Sequence, residues 1–136
     1  MHTTNYFNTF ILVAEDCPVK QAIVPEMRKG VKTIPLLQFE LIIGNPYGFT
    51  SDDIIFRVHA IRKGMDPLDP VTRDDFFSKG QPCLRCSSLG KRYGWGIHCN
   101  GEGKVALVPL NTDEYNAKAK DGDIIQVRAM RNSRKN

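Results

Sequence analysis

At 136 residues, with 41% hydrophobic and 25% charged residues, the chain has the make-up of one globular domain spanning 1–136. No apolar run approaches the ~20 residues that cross a bilayer, and Met1-His2-Thr3-Thr4-Asn5 lacks the basic start of a secretory signal, so a cytoplasmic protein without membrane association is expected. The net charge of +4 is unevenly placed: residues 1–78 hold 8 Lys or Arg against 10 Asp or Glu, residues 79–136 hold 11 against 5, and the second half is the basic half.

The aromatic and β-branched run Tyr6 to Ala14 predicts a first strand that ends at Glu15-Asp16-Cys17-Pro18. Residues 18 to 32 read as a surface loop. A first helix follows, with Thr33 as cap, Pro35 in the first turn and Gly44-Asn45-Pro46 as the stop. Thr50-Ser51-Asp52-Asp53 fits a capping box before Ile54, Val58 and Ile61, and Arg62-Lys63-Gly64 closes this second helix. Asp69 caps a short third helix that opens on Pro70 and carries Phe76 and Phe77 near its end.

From Lys91 the hydrophobic period becomes two. Tyr93, Trp95, Ile97 and Cys99 share one strand face, Asn100-Gly101-Glu102-Gly103 turns the chain, and Val105 to Leu110 returns as the partner strand. Thr112 to Lys120 forms a fourth helix, Ile124 to Met130 a last strand, and the polar tail from Arg131 is expected to fray. The fold class that results is α+β: an antiparallel sheet of about four strands with three or four helices packed mainly on one face.

Three features carry chemistry. Cys83-Leu84-Arg85-Cys86 has the spacing of half a zinc site, which His98 or Cys99 would have to complete. Those two, adjacent on a strand, point to opposite faces, so Cys17 or His59 would have to be recruited. Small apolar thiols packed under the sheet are the better reading, a redox dithiol lacks the usual following helix, and no metal or cofactor is expected.

The second feature is Lys91-Arg92-Tyr93-Gly94-Trp95-Gly96-Ile97-His98. With the rings turned to the core, Gly94, Gly96 and His98 face away and leave a bare strip that admits a close neighbour: a ligand, a partner or one of the protein's own helices. His98 would be the hydrogen-bonding or acid/base group at its rim, with Asp52, Asp53 or Asp75 as candidates to orient it. The third feature is the basic series Arg128, Arg131, Arg134 and Lys135. It reads as a solvated face unless it lies beside Arg85, Lys91 and Arg92, in which case it becomes an anion or nucleic-acid patch.

The segments His2 to Tyr6, Ala14 to Pro18, Asn45-Pro46-Tyr47, Thr50 to Asp53, Phe76 to Arg85, Lys91 to His98 and Ala129-Met130-Arg131 together resemble a family of small bacterial proteins known as a domain of unknown function. The resemblance implies no activity, cofactor or catalytic residue. It implies positions matching Arg85, Lys91, Arg92, Tyr93, Trp95 and His98 as parts of the family pattern, with a small residue usual at Cys86 and Cys99 not fixed, which counts against zinc.

The expected function is non-catalytic binding of an anionic small ligand or a protein partner through Arg85, Lys91, Arg92, Gly94, Gly96 and His98. Nucleic-acid binding through the basic half is the first alternative, and an enzyme using His98 or Cys83 the second.

Overall fold

The computed structural model describes residues 1–134. Strand β1 (Thr9–Leu12) lies inside the predicted aromatic run, and residues 18–32 follow as a loop. Helix α1 (Ile34–Ile43) starts where Thr33 accepts from the Leu36 N–H, with Pro35 in its first turn. Helix α2 (Ser51–Lys63) starts on the capping box: Thr50 and Asp53 each accept from the other's backbone N–H, at 3.1 and 2.9 Å. Asp69 caps α3 (Pro70–Phe76) through the Val71 N–H. A 3-10 turn at Leu84–Cys86 then leads into the single turn of α4 (Ser88–Lys91), neither of which is long enough to show as a periodic pattern. Strands β2 (Trp95–Cys99) and β3 (Val105–Pro109) form the predicted hairpin, and α5 (Asp113–Ala119) and β4 (Ile125–Arg128) complete the order.

The strands are arranged β3-β2-β1-β4. β2 runs antiparallel to both neighbours, whereas β4 pairs parallel with β1, from Thr9 opposite Ile125 to Leu12 opposite Arg128. The sheet is therefore mixed, which corrects the expectation of an antiparallel one. The cause is connectivity. β1 and β3 both run against β2 and so share a direction, and α5 carries the chain across after β3 so that β4 enters in that same direction.

Strand alternation assigns a core to each face. Ile11, Ile97, Cys99, Val105 and Leu107 meet Ile42 of α1, Ile54 of α2, Leu84 and Leu89 on one side. Phe10 and Val108 meet Tyr115 of α5 on the other. Most helices thus share the first face, and α5 covers the second. Trp95 is buried as its alternation predicts: its ring packs on Phe39 with centroids 5.2 Å apart, and its Nε1 donates to the Ile23 carbonyl at 2.8 Å.

The N-terminal segment is tied to the start of α2. Asp52 accepts from the Thr3 hydroxyl and the Thr4 N–H, both at 2.7 Å, and donates its own N–H to Asn5. A carboxylate in the first turn of a helix also complements the helix dipole. Among the described residues no helix is long and apolar enough to cross a membrane.

Candidate functional site

Past β4 the chain stays in register with two neighbours. Ala129 donates to the Leu12 carbonyl and Met130 to the Arg85 carbonyl, both at 2.8 Å, while Arg85 donates from Nε to the Arg128 carbonyl at 2.7 Å. The 3-10 turn and the end of β4 are laced together. The next residues do not fray as the sequence predicts. Asp16 accepts from the backbone N–H groups of Asn132 and Ser133 at 2.9 and 3.0 Å, and Asn132 donates its side-chain amide to the Lys91 carbonyl at 2.8 Å. Arg131 pairs with Glu15 at 2.6 Å. The Asn132 N–H, with Ser133 and Arg131 behind it, favours the ionised form of Asp16 and draws its carboxyl down to about 2.

This strap borders an open cleft of about 470 Å³ lined by Arg85, Arg128, Arg131 and Arg134, with Glu15 as its one carboxylate among the described residues. Lys135, the last of the predicted basic series, lies outside the described residues. Arg85 and Arg128 are oriented by neutral carbonyls, Arg85 by that of Arg128 and Arg128 by that of Val13 at 3.1 Å. A carbonyl fixes a guanidinium without neutralising it, so both keep their charge and further N–H donors. Cationic residues thus line a space of small-molecule size, a chemistry suited to oxyanions, with Arg131 already paired with Glu15.

The other predicted site residues fall elsewhere. Lys91 touches the strap through its carbonyl, and neither Lys91 nor Arg92 lines the cleft. Gly94 and Gly96 are buried. A Cβ on Gly94, whose φ is +78°, would sit 2.8 Å from the Gln21 carbonyl oxygen. A Cβ on Gly96 would sit 2.7 Å from Phe10 Cζ and 2.8 Å from Tyr115 Cε2. The protein's own loop and α5 therefore occupy the bare strip.

His98 shares the α5 face but is half-buried apart from the arginines, its Nδ1 hydrogen-bonded to the Tyr47 hydroxyl at 2.8 Å. Burial, then the Lys118 charge, lowers its pKa below the ordinary 6.5. None of the carboxylates considered as its orienting partner reaches it. Asp52 holds the N-terminal segment, Asp53 caps α2 and pairs with Arg73 at 2.7 Å, and Asp75 makes no side-chain bond to it.

Cys83 and Cys86 line a different cleft, of about 440 Å³, between the 3-10 turn and helices α1 and α2. His59 and Phe76 stack across its wall with centroids 4.4 Å apart, and Gln38 is held there by the Ser87 hydroxyl. The zinc arrangement weighed from sequence is not assembled. His98 is on the opposite sheet face from Cys99, which is buried in the main core. Among the described residues no three His, Cys, Asp or Glu side chains are grouped to hold a metal.

Glu15, Asp16 and Asn132, which build the arginine cleft, escape sequence reasoning because their partners lie about 116 residues away in the chain. The only local signal is the acidic pair Glu15-Asp16 facing a strongly basic C-terminus. The chain belongs to a family of unknown function (DUF6157), matched over residues 1–135. No curated protein and no solved structure matches it.

Proposed function

We propose that this protein binds a small anionic ligand, without catalysing a reaction on it, in the cleft between the 3-10 turn and the C-terminal strap. The observation that carries the reading is the convergence of Arg85, Arg128, Arg131 and Arg134 on one concave space with Glu15 as its one carboxylate among the described residues. Arg131 is paired with Glu15, and the remaining guanidinium groups in the lining offer an oxyanion charge-assisted hydrogen bonds. Neither a histidine nor a cysteine lines the cleft among the described residues, which favours binding over acid/base or nucleophilic chemistry. Among the described residues its lining also holds no aromatic side chain, which favours a compact anion over stacked single-stranded nucleic acid.

Calorimetric titration with inorganic phosphate and pyrophosphate at low ionic strength tests this. Arg85→Gln and Arg128→Gln are each expected to weaken binding at least about tenfold, since a hydrogen bond to a charged group contributes roughly 1.5–3 kcal/mol. Absence of binding by either anion, or full affinity in both variants, would remove the reading. Tighter binding of a single-stranded oligonucleotide with a steep salt dependence would replace it with the nucleic-acid alternative.

A further inference from the structure

We propose that Cys83 and Cys86 are a reversible oxidation site, closing into a disulfide across the 3-10 turn when a low-molecular-weight disulfide reaches the cleft they line. The inference goes beyond the anion site and does not depend on it.

The backbone brings the two residues together. Cys86 donates its N–H to the Cys83 carbonyl at 3.0 Å, and Ser87 donates to Leu84 at 3.1 Å. An i to i+3 turn of this kind holds its end Cα atoms within roughly 7 Å, and residues three apart in a 3-10 turn lie on the same side. A disulfide needs Cα atoms roughly 4.4–6.8 Å apart, so closure asks for side-chain rotation and little backbone movement.

The turn is held at both ends. Leu84 is buried in the main core, and Ser87 both caps α4 through the Leu89 N–H and binds Gln38. Because the turn is already ordered, the cross-link closes without having to fold it first.

Access agrees with this. Cys86 is exposed and Cys83 half-exposed, and both line the same cleft, whereas Cys99 is buried beneath the sheet. The Tyr6 hydroxyl lies 3.5 Å from Cys83 Sγ, placed to donate to a thiolate there. Burial and the neighbouring Cys83 raise the Cys86 pKa, which leaves little thiolate at neutral pH, so exchange is slow there and quickens as the solution becomes alkaline.

The reaction balances as ordinary thiol–disulfide exchange. The exposed Cys86 thiol loses its proton and attacks one sulfur of a disulfide R–S–S–R, displacing one thiolate RS⁻. Cys83 then loses its proton and attacks Cys86 Sγ in the mixed disulfide, displacing the second RS⁻. The two protons end on the two released thiols. The cysteine pair is oxidised by two electrons and R–S–S–R is reduced to two R–SH.

The full chain, reduced, is equilibrated without oxygen across a series of reduced-to-oxidised glutathione ratios, then alkylated under denaturing conditions and mapped by peptide mass spectrometry. Two of the four cysteines should lose alkylation together, in a Cys83–Cys86 cross-linked fragment, while Cys17 and Cys99 stay alkylated. In Cys83→Ser the glutathione adduct should persist on Cys86, which the wild type resolves. The wild-type map alone decides the matter if that variant does not fold. Full alkylation of both thiols at the oxidising end, separate glutathione adducts on the wild type, or cross-links to other cysteines would each overturn the proposal.

Discussion

Replacing Gly96 by alanine tests which neighbour the bare strip of β2 was built for. The new Cβ would stand 2.7 and 2.9 Å from Phe10 ring atoms and 2.8 Å from a Tyr115 ring atom. Neither ring is free to retreat. Phe10 is wholly buried in the sheet, and the Tyr115 hydroxyl is held by the Val13 N–H at 3.0 Å. Overpacking between two pinned rings belongs at the upper end of the usual range, about 3 kcal/mol. Removing the backbone freedom of glycine offsets about 1 kcal/mol of that, leaving about 2 kcal/mol of net destabilisation. For a chain of this length that lowers Tm by roughly 6–10 °C. Gly101→Ala is the control, since nothing lies within 4 Å of its Cβ, and it should stay within about 0.5 kcal/mol of wild type. Thermal and urea unfolding read both, and phosphate titration of folded Gly96→Ala should match wild type. Wild-type stability in Gly96→Ala, or lost binding at wild-type stability, would return the strip to its role as a ligand site.

Tyr115→Phe removes the acceptor of the buried Val13 N–H and should cost about 1–2 kcal/mol in urea unfolding, with little change in the aromatic packing. Asp16 has a folded pKa of about 2 against the ordinary 3.8, so its strap contacts are complete above the higher value and lost as pH falls through the lower. The amide resonances of Asn132 and Ser133 should therefore titrate near the lower value, and a midpoint near the ordinary one would contradict the strap. His98 is the opposite case in charge but the same in sign. Its folded pKa lies below 6.5, so below that pH the unfolded chain holds more protons and stability falls as the solution is acidified. Urea unfolding compared at about pH 7 and about pH 5 should show that loss, and His98→Gln should reduce it.

Where the sequence is legible, the signal is local. Thr33, Thr50, Asp69 and Thr112 each sit where their side chains accept from the N–H groups of the helix they begin, so helix starts can be read one turn at a time. The alternation of Trp95, Ile97 and Cys99 against Gly96 and His98 likewise reports which face is apolar, and the structure buries that face. The direction of β4 has no such signal. Its residues alternate alike in parallel or antiparallel pairing, and the clue lies in α5, a helix between two strands, whose crossover is what a parallel partner requires. The arginine cleft is legible only in part: Arg85 and the C-terminal arginines are visible as charges, but their meeting depends on Asp16 capturing the backbone of Asn132 and Ser133.

The turn at residues 83–86 separates the two clefts, and its geometry predicts how they interact. With three residues per turn, Cys83 and Cys86 come round to one side, while Leu84 is sent into the core and Arg85 toward the strap. Closing a disulfide joins two residues that already share a side, so it need not displace the Arg85 carbonyl bonded to Met130 or the Nε bonded to Arg128. With those two bonds unmoved, the change should stay within the roughly 0.3–0.5 kcal/mol that uncoupled sites show, about a twofold change in affinity. Phosphate titrated into fully reduced and fully oxidised protein should therefore bind equally to within that factor. A much larger difference would mean that cross-linking rotates the turn and carries Arg85 with it.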